Sequence, residues 1–527
     1  ADVQSIFGMV DRLTANLAST FLPEAERPTK GPEIEQASTS NVEAYKHYQL
    51  GLDYGRRFLT ADAMKELNEA VRLDPQFALA MLELSSQYSL AGDSKNSQEF
   101  ADRAEQLQSR LPRFEQLSLQ ATNAKRTGDL DAAVQAYRQL VTEYPRDGYD
   151  RGSLATYLSL VGKVDEAVAT LKEGLATSPK DENLLNFDIY ALAEAGDMPG
   201  AMAADDAYEA VRPGDPNPFD SRGDALFFAG KYEEAVSAYR AAEGAKDGFN
   251  ESPKLMMVYS EERKPDMAKV ALQRFASGAT ALRRLYVPVF EAQFAQNSGD
   301  VEGAIGKYRD ACKGLAAAGQ YGPAGQALMD YARLSILLGQ TSQALTYVQQ
   351  QKLNGDELQA LALLQTVSGN REGAAQSWQR FGATHPRISP RVIGFYGAAA
   401  EAWSAIVRGD AAQAGAAAEK LPDWSVRNFL YLKGNAALLN GDYATAAKKL
   451  DRQIAWGRDM QNFGTMTVQF PIVPVLARFY LAEAYEKQGK RDQALNEYQE
   501  FLSHFETSHT KLPQVEQARA ELKKLMQ

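Results

Sequence analysis

The strongest constraint in this sequence is a short motif that returns in phase along most of the chain. In its clear form it is a Gly followed by a polar residue, with an Ala five positions after the Gly, and the clearest copies are spaced by 34 residues. Thirteen copies can be aligned when degenerate ones are included, and the second position is Ala in twelve of them and Ser in one. The copies are Phe58/Ala63, Gly92/Ser97, Gly128/Ala133, Gly162/Ala167, Gly196/Ala201, Gly230/Ala235, Arg263/Ala268, Gly299/Ala304, Gly339/Ala344, Gly369/Ala374, Gly409/Ala414, Gly441/Ala446 and Gly489/Ala494. One such pair carries no information, but thirteen in phase predict a protein built from one repeated supersecondary unit.

Each copy is interpreted as the turn between two antiparallel helices, A and B. Gly ends helix A in the left-handed conformation that other residues adopt only at a steric cost. The Ala lies near the start of helix B, where a larger side chain would hold the partner helix away. Seven residues before the turn, helix A carries a second small residue in all copies except two, which have Ile189 and Met256. The pattern therefore predicts an all-α protein made of closely packed helix pairs.

Composition agrees with this fold and excludes some partners. The chain is 45% hydrophobic and 24% charged, with the charges interleaved as in amphipathic helices. Its net charge is −11, and it has no basic cluster of the kind that binds nucleic acid or an anionic membrane surface. No apolar stretch approaches the ~20 residues of a spanning helix. Cys312 is the single cysteine, which rules out an intramolecular disulfide, and we expect it to be buried.

Two segments resemble a known family. "AGKYEEAVSAYRAA" (229–242) and "KQGKRDQALNEYQEF" (487–501) are similar to the tetratricopeptide-repeat consensus. The resemblance covers roughly residues 42–525. It implies a right-handed α-solenoid of about 12 to 13 helix pairs, whose A helices line a groove that binds a protein or peptide partner.

The resemblance suggests four parts. We expect an amphipathic helix over 1–21, a Pro-rich linker over 22–41, the solenoid over 42–511 and a capping helix over 512–527. The segments "SIFGMVDRLTANLASTF", "STSNVEAYKHYQLGLDYGRRFLTADAMKELNEAVRLDPQFALA" and "RLPRFEQLSLQATNAKRTGDLDAAVQAYRQLVTEYPRD" resemble the C-terminal sensor regions of bacterial membrane-anchored Ser/Thr kinases, winged-helix regulators and adenylate cyclases.

That narrower resemblance implies the sensor or docking half of a larger bacterial signalling or assembly protein. The first helix would then be the end of an upstream domain, which could be membrane-anchored. An upstream kinase with a spanning helix would place this chain outside the cytoplasm, the location that we slightly favour. A signal peptide ending at Ala1 would instead make the chain a free-standing exported scaffold.

No pattern in the sequence indicates catalysis. The four histidines are scattered, and His504 and His509, five residues apart, do not share a helix face as zinc ligands would. Neither a phosphate-binding loop nor a nucleophile elbow occurs. We therefore predict a protein that is not an enzyme and that has no catalytic residues, cofactor or metal.

Two places are candidates for partner binding. In a tetratricopeptide repeat, helix-A positions thirteen, ten and six residues before the turn face the groove, and their side chains can hydrogen-bond an extended peptide or a glycan. In two repeats these positions hold Asn183, Asn186, Tyr190, Asn217, Asp220 and Asp224. They do not match the Lys, Asn and Arg clamp of the chaperone-binding subfamily. The second candidate is a long insertion over 456–471, read either as a binding loop or as an extension of helix B. Its large apolar residues are Trp456, Met460, Phe463, Met466 and Phe470.

The sequence leaves one alternative function open. Some tetratricopeptide regulators close their superhelix around a small molecule, so a sugar- or nucleotide-sensing protein remains a second interpretation beside the protein-interaction scaffold.

Overall fold

The computed structural model describes residues 39–56, 59–91, 93–246, 249, 251–424, 428–458, 472–506 and 508–527. Within these ranges the regular structure is helical, and no strand occurs. The chain divides into two compact units, Ala1–Lys125 with Gln135–Tyr144, and Arg126–Val134 with Pro145–Gln527. We call them unit 1 and unit 2 and describe each by itself.

Unit 1 contains the first helix pairs. Its helices are α1 (Val42–Arg56), α2 (Thr60–Leu73), α3 (Ala78–Leu90) and α4 (Ser94–Gln106), then a 3-10 turn (Gln108–Arg110) and most of α5 (Arg113–Thr127) and α6 (Leu130–Glu143). Leu67, Phe77, Met81 and Leu84 form its buried core. The Tyr48 ring packs on the Phe77 ring, with centroids 4.9 Å apart.

Unit 2 contains the remaining helices. They are α7 (Gly148–Leu160), α8 (Val164–Thr177), α9 (Glu182–Glu194), α10 (Met198–Val211), α11 (Pro216–Phe228), α12 (Tyr232–Ala245), α13 (Ser252–Glu261), α14 (Pro265–Gly278), α15 (Ala281–Arg284), α16 (Val287–Asn297), α17 (Val301–Ala317), α18 (Tyr321–Leu337), α19 (Thr341–Gln349), α20 (Glu357–Val367), α21 (Arg371–Thr384), α22 (Pro390–Arg408), α23 (Ala411–Glu419), α24 (Phe429–Leu439), α25 (Tyr443–Trp456), α26 (Ile472–Lys487), α27 (Arg491–Ser503) and α28 (Pro513–Leu525).

The helices pair in the predicted phase. Each predicted turn position lies between a helix A and a helix B, which gives thirteen pairs in the described ranges; α15 and α28 stand outside the pairing. From Gly128 onward, every turn position has a positive φ, including Arg263, whose φ is 58°. The Ala that follows each turn is buried, with no exposed surface in most copies. The predicted all-α solenoid of about 12 to 13 helix pairs is therefore confirmed.

The small residue on helix A has a specific partner. A Cβ added to Gly223 would lie 2.5 Å from Cε1 of Tyr239, a residue of helix B in the same pair. Equivalent contacts join Gly51 with Leu67 at 2.6 Å and Gly434 with Leu450 at 2.7 Å. The small position thus accommodates the large side chain that follows the buried Ala by four residues, which is a one-turn step along helix B.

Consecutive A helices lie against each other. Helix α9 contacts both α7 and α11, and the series α18, α20, α22, α24 and α26 is likewise in contact from one A helix to the next. Side chains on one A helix can therefore reach those on the next, about one repeat further along the chain.

The turns of the middle repeats of unit 2 contact its last helices. The Arg263 Nε donates to Ser503 Oγ at 2.9 Å. His504 Nδ1 lies 3.0 Å from the carbonyl oxygen of Asn297, and the Val301 N–H donates to Thr510 Oγ1 at 3.1 Å. These partners are more than 200 residues apart, and the repeat pattern gave no indication of this contact.

The chain ends with α28, which packs against α27. The side-chain amide of Gln514 donates to the Tyr480 hydroxyl at 3.1 Å. This helix lies within the range where the sequence predicts a cap. Among the described helices, none has the length and apolar character required to cross a bilayer.

Candidate interaction site on the A helices of unit 2

None of the six predicted groove residues is exposed, and Asn186, Tyr190 and Asp224 take part in hydrogen bonds between A helices. Ser221 Oγ, on α11, donates to Asn186 Oδ1, on α9, at 2.7 Å. The Tyr190 hydroxyl, also on α9, lies 3.0 Å from Oδ2 of Asp224 and 3.2 Å from Ser221 Oγ. These partners are 31 to 35 residues apart, close to one repeat length. The polar side chains therefore join successive A helices.

A buried lysine extends the network to a third A helix. Lys254, on α13, donates from Nζ to Oδ1 and Oδ2 of Asp224 at 2.8 and 3.0 Å, and it also pairs with Asp220. The Tyr239 hydroxyl donates to Asp224 Oδ1 at 2.8 Å. Glu251, just before α13, is also buried. We call Asn186, Tyr190, Asp220, Ser221, Asp224, Tyr239, Glu251 and Lys254 the inter-helix network.

Burial and an excess of carboxyl groups set the protonation of this network. The pKa of Asp224 is raised to about 7 by burial and by the charge of Asp220, against the opposing effect of Lys254. The pKa of Glu251 is raised to about 9, again mainly by burial and then by Asp220. Burial alone would lower the pKa of Lys254, but Asp220 and Asp224 outweigh it and raise that pKa. The lysine is therefore charged at neutral pH, and Glu251 is protonated.

The other two predicted residues lie at helix starts. The Asn183 N–H donates to Oδ1 of Asp181, the residue that caps α9, at 3.0 Å. The side-chain amide of Asn217 donates to the Tyr208 hydroxyl at 2.8 Å. Ligand binding by the six predicted groove residues stays a prediction, and a partner would have to bind beside these internal bonds or displace them.

An aromatic pair of one exposed and one half-buried ring lies on the neighbouring A helices α7 and α9, and the sequence patterns above did not single it out. The Tyr149 side chain, on α7, is 59% exposed, and its ring centroid is 6.0 Å from that of Phe187 on α9. Phe187 lies directly on Gly152, where an added Cβ would overlap the ring. The spacing could have identified Tyr149 as a groove position, because it lies thirteen residues before Gly162, just as Asn183 lies thirteen residues before Gly196.

Carboxyl groups lie near the aromatic pair. The side chain of Tyr149 is exposed, yet its pKa is raised by desolvation and then by the charge of Asp150. The carboxyl groups of Asp150 and Asp188 have pKa values raised to about 6, mainly by burial.

The other predicted features are placed only in part. Trp456 is the last residue of α25 and is buried, whereas Met460, Phe463, Met466 and Phe470 of the insertion lie outside the described residues. Cys312 is buried, and burial raises its pKa to about 11. In the described part of the chain no group of His, Cys, Asp and Glu is arranged to hold a metal ion.

Comparison with known families and structures gives the following matches. The tetratricopeptide-repeat family model matches residues 117–147 and 476–508. Curated protein sequences give no significant match. Among solved structures, a tetratricopeptide-repeat protein from Parabacteroides merdae is 11% identical, covers 51% of this chain and 93% of its own, and has a TM-score of 0.32.

Two further solved structures are similar over different lengths. PilW, a type IV pilus biogenesis factor, is 14% identical over 46% of this chain and 98% of its own, with a TM-score of 0.26. The Cut9–Hcn1 hetero-tetramer of APC/C is 12% identical over 92% of this chain and 96% of the matched chain, with a TM-score of 0.27.

The family model matches one repeat in the first third of the chain and one near its end. Between these segments the helix pairs keep the same turn and the same buried Ala, and all but the pairs with Ile189 and Met256 keep the small helix-A residue. The chain therefore contains tetratricopeptide repeats at residues 117–147 and 476–508, joined by helix pairs of the same design.

Proposed function

We propose that this chain is a non-catalytic scaffold that binds a protein partner on the A helices α7, α9 and α11 of unit 2. Tetratricopeptide repeats in general form protein-interaction scaffolds, so the proposal concerns where the partner binds and what it contains. The observation that carries it is the Tyr149–Phe187 pair, in which the exposed Tyr149 ring packs on the half-buried Phe187 ring beside a largely satisfied polar network. Aromatic side chains supply large contact areas and are enriched at the centres of interfaces.

The charges around this pair indicate the kind of partner. Asp150 and Asp188 lie on the same helices as the two rings, and Asp220 and Asp224 follow on α11. Lys254 is the cation that neutralises part of this group. The excess negative charge favours a partner segment that combines an apolar or aromatic residue with Lys or Arg.

In the cell, we propose that the chain is the sensory or docking part of a larger bacterial signalling or assembly protein. This proposal rests on the resemblance of its first repeats to the sensor regions of bacterial kinases and regulators. A free-standing exported scaffold subunit has the same binding surface, and the two differ only in what precedes Ala1.

A site-specific crosslinking experiment tests the binding surface. A photoreactive p-benzoyl-phenylalanine at Tyr149 is compared with one at Val270, a 64% exposed residue on the B helix α14. Irradiation in the native host is expected to give discrete protein adducts at position 149 and none at 270. The proposal fails if the two positions give the same adducts or if position 149 gives none.

A binding measurement then tests the mechanism. For the partner identified at position 149, Tyr149→Ala with Phe187→Ala is expected to weaken binding at least about tenfold, as for a hot-spot pair. The matched control Val270→Ala is expected to leave the affinity unchanged.

A small-ligand sensor is the alternative function. It predicts that one sugar or nucleotide raises the melting temperature of the purified chain in a concentration-dependent way. That result, without protein adducts at position 149, would favour the alternative.

A further inference from the structure

A small cavity lies where the middle repeats of unit 2 meet its last helices. Its volume is about 10 Å³, enough for a single water-sized particle. Met257 and Glu261 of α13 and Asn297 of α16 line one side. The other side is formed by α25, α26 and the end of α27, through Ile454, Gly457, Arg458, Pro474, Val475, Arg478 and His504.

Three polar nitrogens on the cavity lining have no hydrogen-bond partner among the described residues. They are Asn297 Nδ2, Arg458 Nε and His504 Nε2. Asn297 and His504 are only 2% and 3% exposed. Buried polar atoms without partners are rare in native proteins, because each loses its hydration without compensation. Two of the three, Asn297 Nδ2 and Arg458 Nε, are hydrogen-bond donors, so together they indicate a bound particle that accepts hydrogen bonds.

The charges around the cavity favour an anion. Neither Arg263 nor Arg458 forms an ion pair within the described part of the chain: Arg263 donates to Ser503 Oγ and to two backbone carbonyls, and Arg458 donates to the Tyr232 hydroxyl at 3.3 Å. Arg478 is paired with Glu497 at 2.9 Å. Glu261 is the one carboxylate on the lining, Arg458 is its cation without an ion pair in the described part of the chain, and Glu497 and Glu500 act on Arg478 and Arg263 from beyond the lining.

The pKa of His504 reflects the positive charges near the cavity. Burial lowers its pKa well below the usual value, and the charges of Arg263 and Arg478 lower it further. In the neutral ring, Nδ1–H donates to the Asn297 carbonyl, which leaves Nε2 as an acceptor. A bound anion would favour the protonated ring, whose Nε2–H is then a third donor toward the cavity.

We propose that this cavity binds a monatomic anion of the chloride class and that the ion stabilises the contact between the middle repeats and the last helices of unit 2. Asn297 and Arg458 donate to it from opposite sides of the contact. The small size of the cavity favours a monatomic ion over carboxylate, phosphate and sulfate groups. The inference does not depend on the proposed partner-binding function.

Crystallography of the full chain tests the site directly. Crystals grown with bromide in place of chloride are expected to show an anomalous difference peak within hydrogen-bonding distance of Asn297 Nδ2 and Arg458 Nε. An ordered water at this position, without anomalous signal, would overturn the proposal.

Thermal unfolding provides a second readout. The melting temperature is expected to be higher in chloride or bromide than in gluconate at equal ionic strength, because an ion that binds only the folded state stabilises it. Arg458→Gln and Asn297→Leu are expected to remove the difference between the salts. Arg452→Gln is the matched control, since Arg452 is also on α25 and donates to a backbone carbonyl away from the cavity.

The comparison between salts separates binding from folding. Arg458 is partly exposed, so Arg458→Gln remains informative if Asn297→Leu does not fold. Equal melting temperatures in both salts for the wild type would also overturn the proposal.

Discussion

Replacing Lys254 by Met tests whether the inter-helix network holds unit 2 together. The ammonium group lies 2.8 and 3.0 Å from the two carboxylate oxygens of Asp224 and also pairs with Asp220. Met retains most of the apolar stem and removes the charge. The substitution leaves the two carboxylates, and Glu251 beside them, buried without their cation.

The magnitude follows from these distances. Coulomb's law at an effective dielectric constant of about 20 gives roughly 5 kcal/mol for one pair at about 3 Å. Part of this is offset, because the ammonium no longer has to be desolvated. We therefore expect Lys254→Met to lower the free energy of unfolding by about 3 to 5 kcal/mol, as for other buried pairs that lose one partner.

The stability lost in Lys254→Met is expected to increase with pH. Lys254 lowers the pKa of Asp224, so its removal raises that pKa further above the value of about 7 in the native protein. The folded state then binds more protons than the unfolded state, whose Asp pKa stays near 3.9, and stability falls as pH rises. The deficit of Lys254→Met is therefore larger at pH 8 than at pH 6, by up to about 1.4 kcal/mol per pH unit for one proton.

Hydrogen exchange is the appropriate assay, since repeat arrays need not unfold as a single unit. Amide protection in α9, α11 and α13 is compared between wild type and variant at both pH values. Lys420→Met, which removes an exposed pair with Glu401 at 3.0 Å, is the control and should cost no more than about 1 kcal/mol. A loss below about 1 kcal/mol for Lys254→Met, or one that is larger at pH 6, would refute the reasoning.

Three further predictions concern packing and protonation. Gly223→Ala places a Cβ 2.5 Å from the Tyr239 ring and should lower the free energy of unfolding by about 1 to 3 kcal/mol. Gly244→Ala meets no atom within 4 Å and should raise the free energy of unfolding by roughly 0.5 to 1 kcal/mol. Melting temperatures of the two variants that shift in the same direction would contradict this. Glu251→Gln should flatten the decline of stability between pH 6 and pH 9, measured by urea unfolding. With its pKa raised to about 9, the native glutamate keeps its proton in this range while the unfolded one has lost it, so the folded state binds more protons and loses stability as pH rises. An unchanged slope in the variant would count against this. A basic partner should bind more tightly as pH rises through about 6, because Asp188 loses its proton there. Weaker binding at pH 7.5 than at pH 5, measured by calorimetry, would contradict the proposed partner chemistry.

The groove shows how far sequence reasoning reached at the candidate site. The period located the positions, and some of them come together: Tyr190 and Asp224, each six residues before its turn, are hydrogen-bonded, and Asn186 bonds to Ser221, next to a predicted position. It did not indicate that Tyr190 and Asp224 bond to each other, since that depends on the distance between two neighbouring helices. The same reasoning, applied one repeat earlier, would have found Tyr149.

The predicted amphipathic helix over 1–21 and most of the insertion over 456–471 lie outside the described residues, so these interpretations stay predictions. The boundary between linker and solenoid and the upstream domain are likewise predictions.

By itself, the sequence determined the helix pairs, their number and their phase. This was possible because each turn, buried Ala and small helix-A residue acts within about one repeat, so every copy leaves the same local pattern. The tertiary structure alone decided the contact that joins Arg263 to Ser503 across 240 residues and the polar cavity beside it. Such contacts occur once in the molecule and join residues far apart in the chain, so they leave no period in the sequence, and only the packing of the helices brings their partners together.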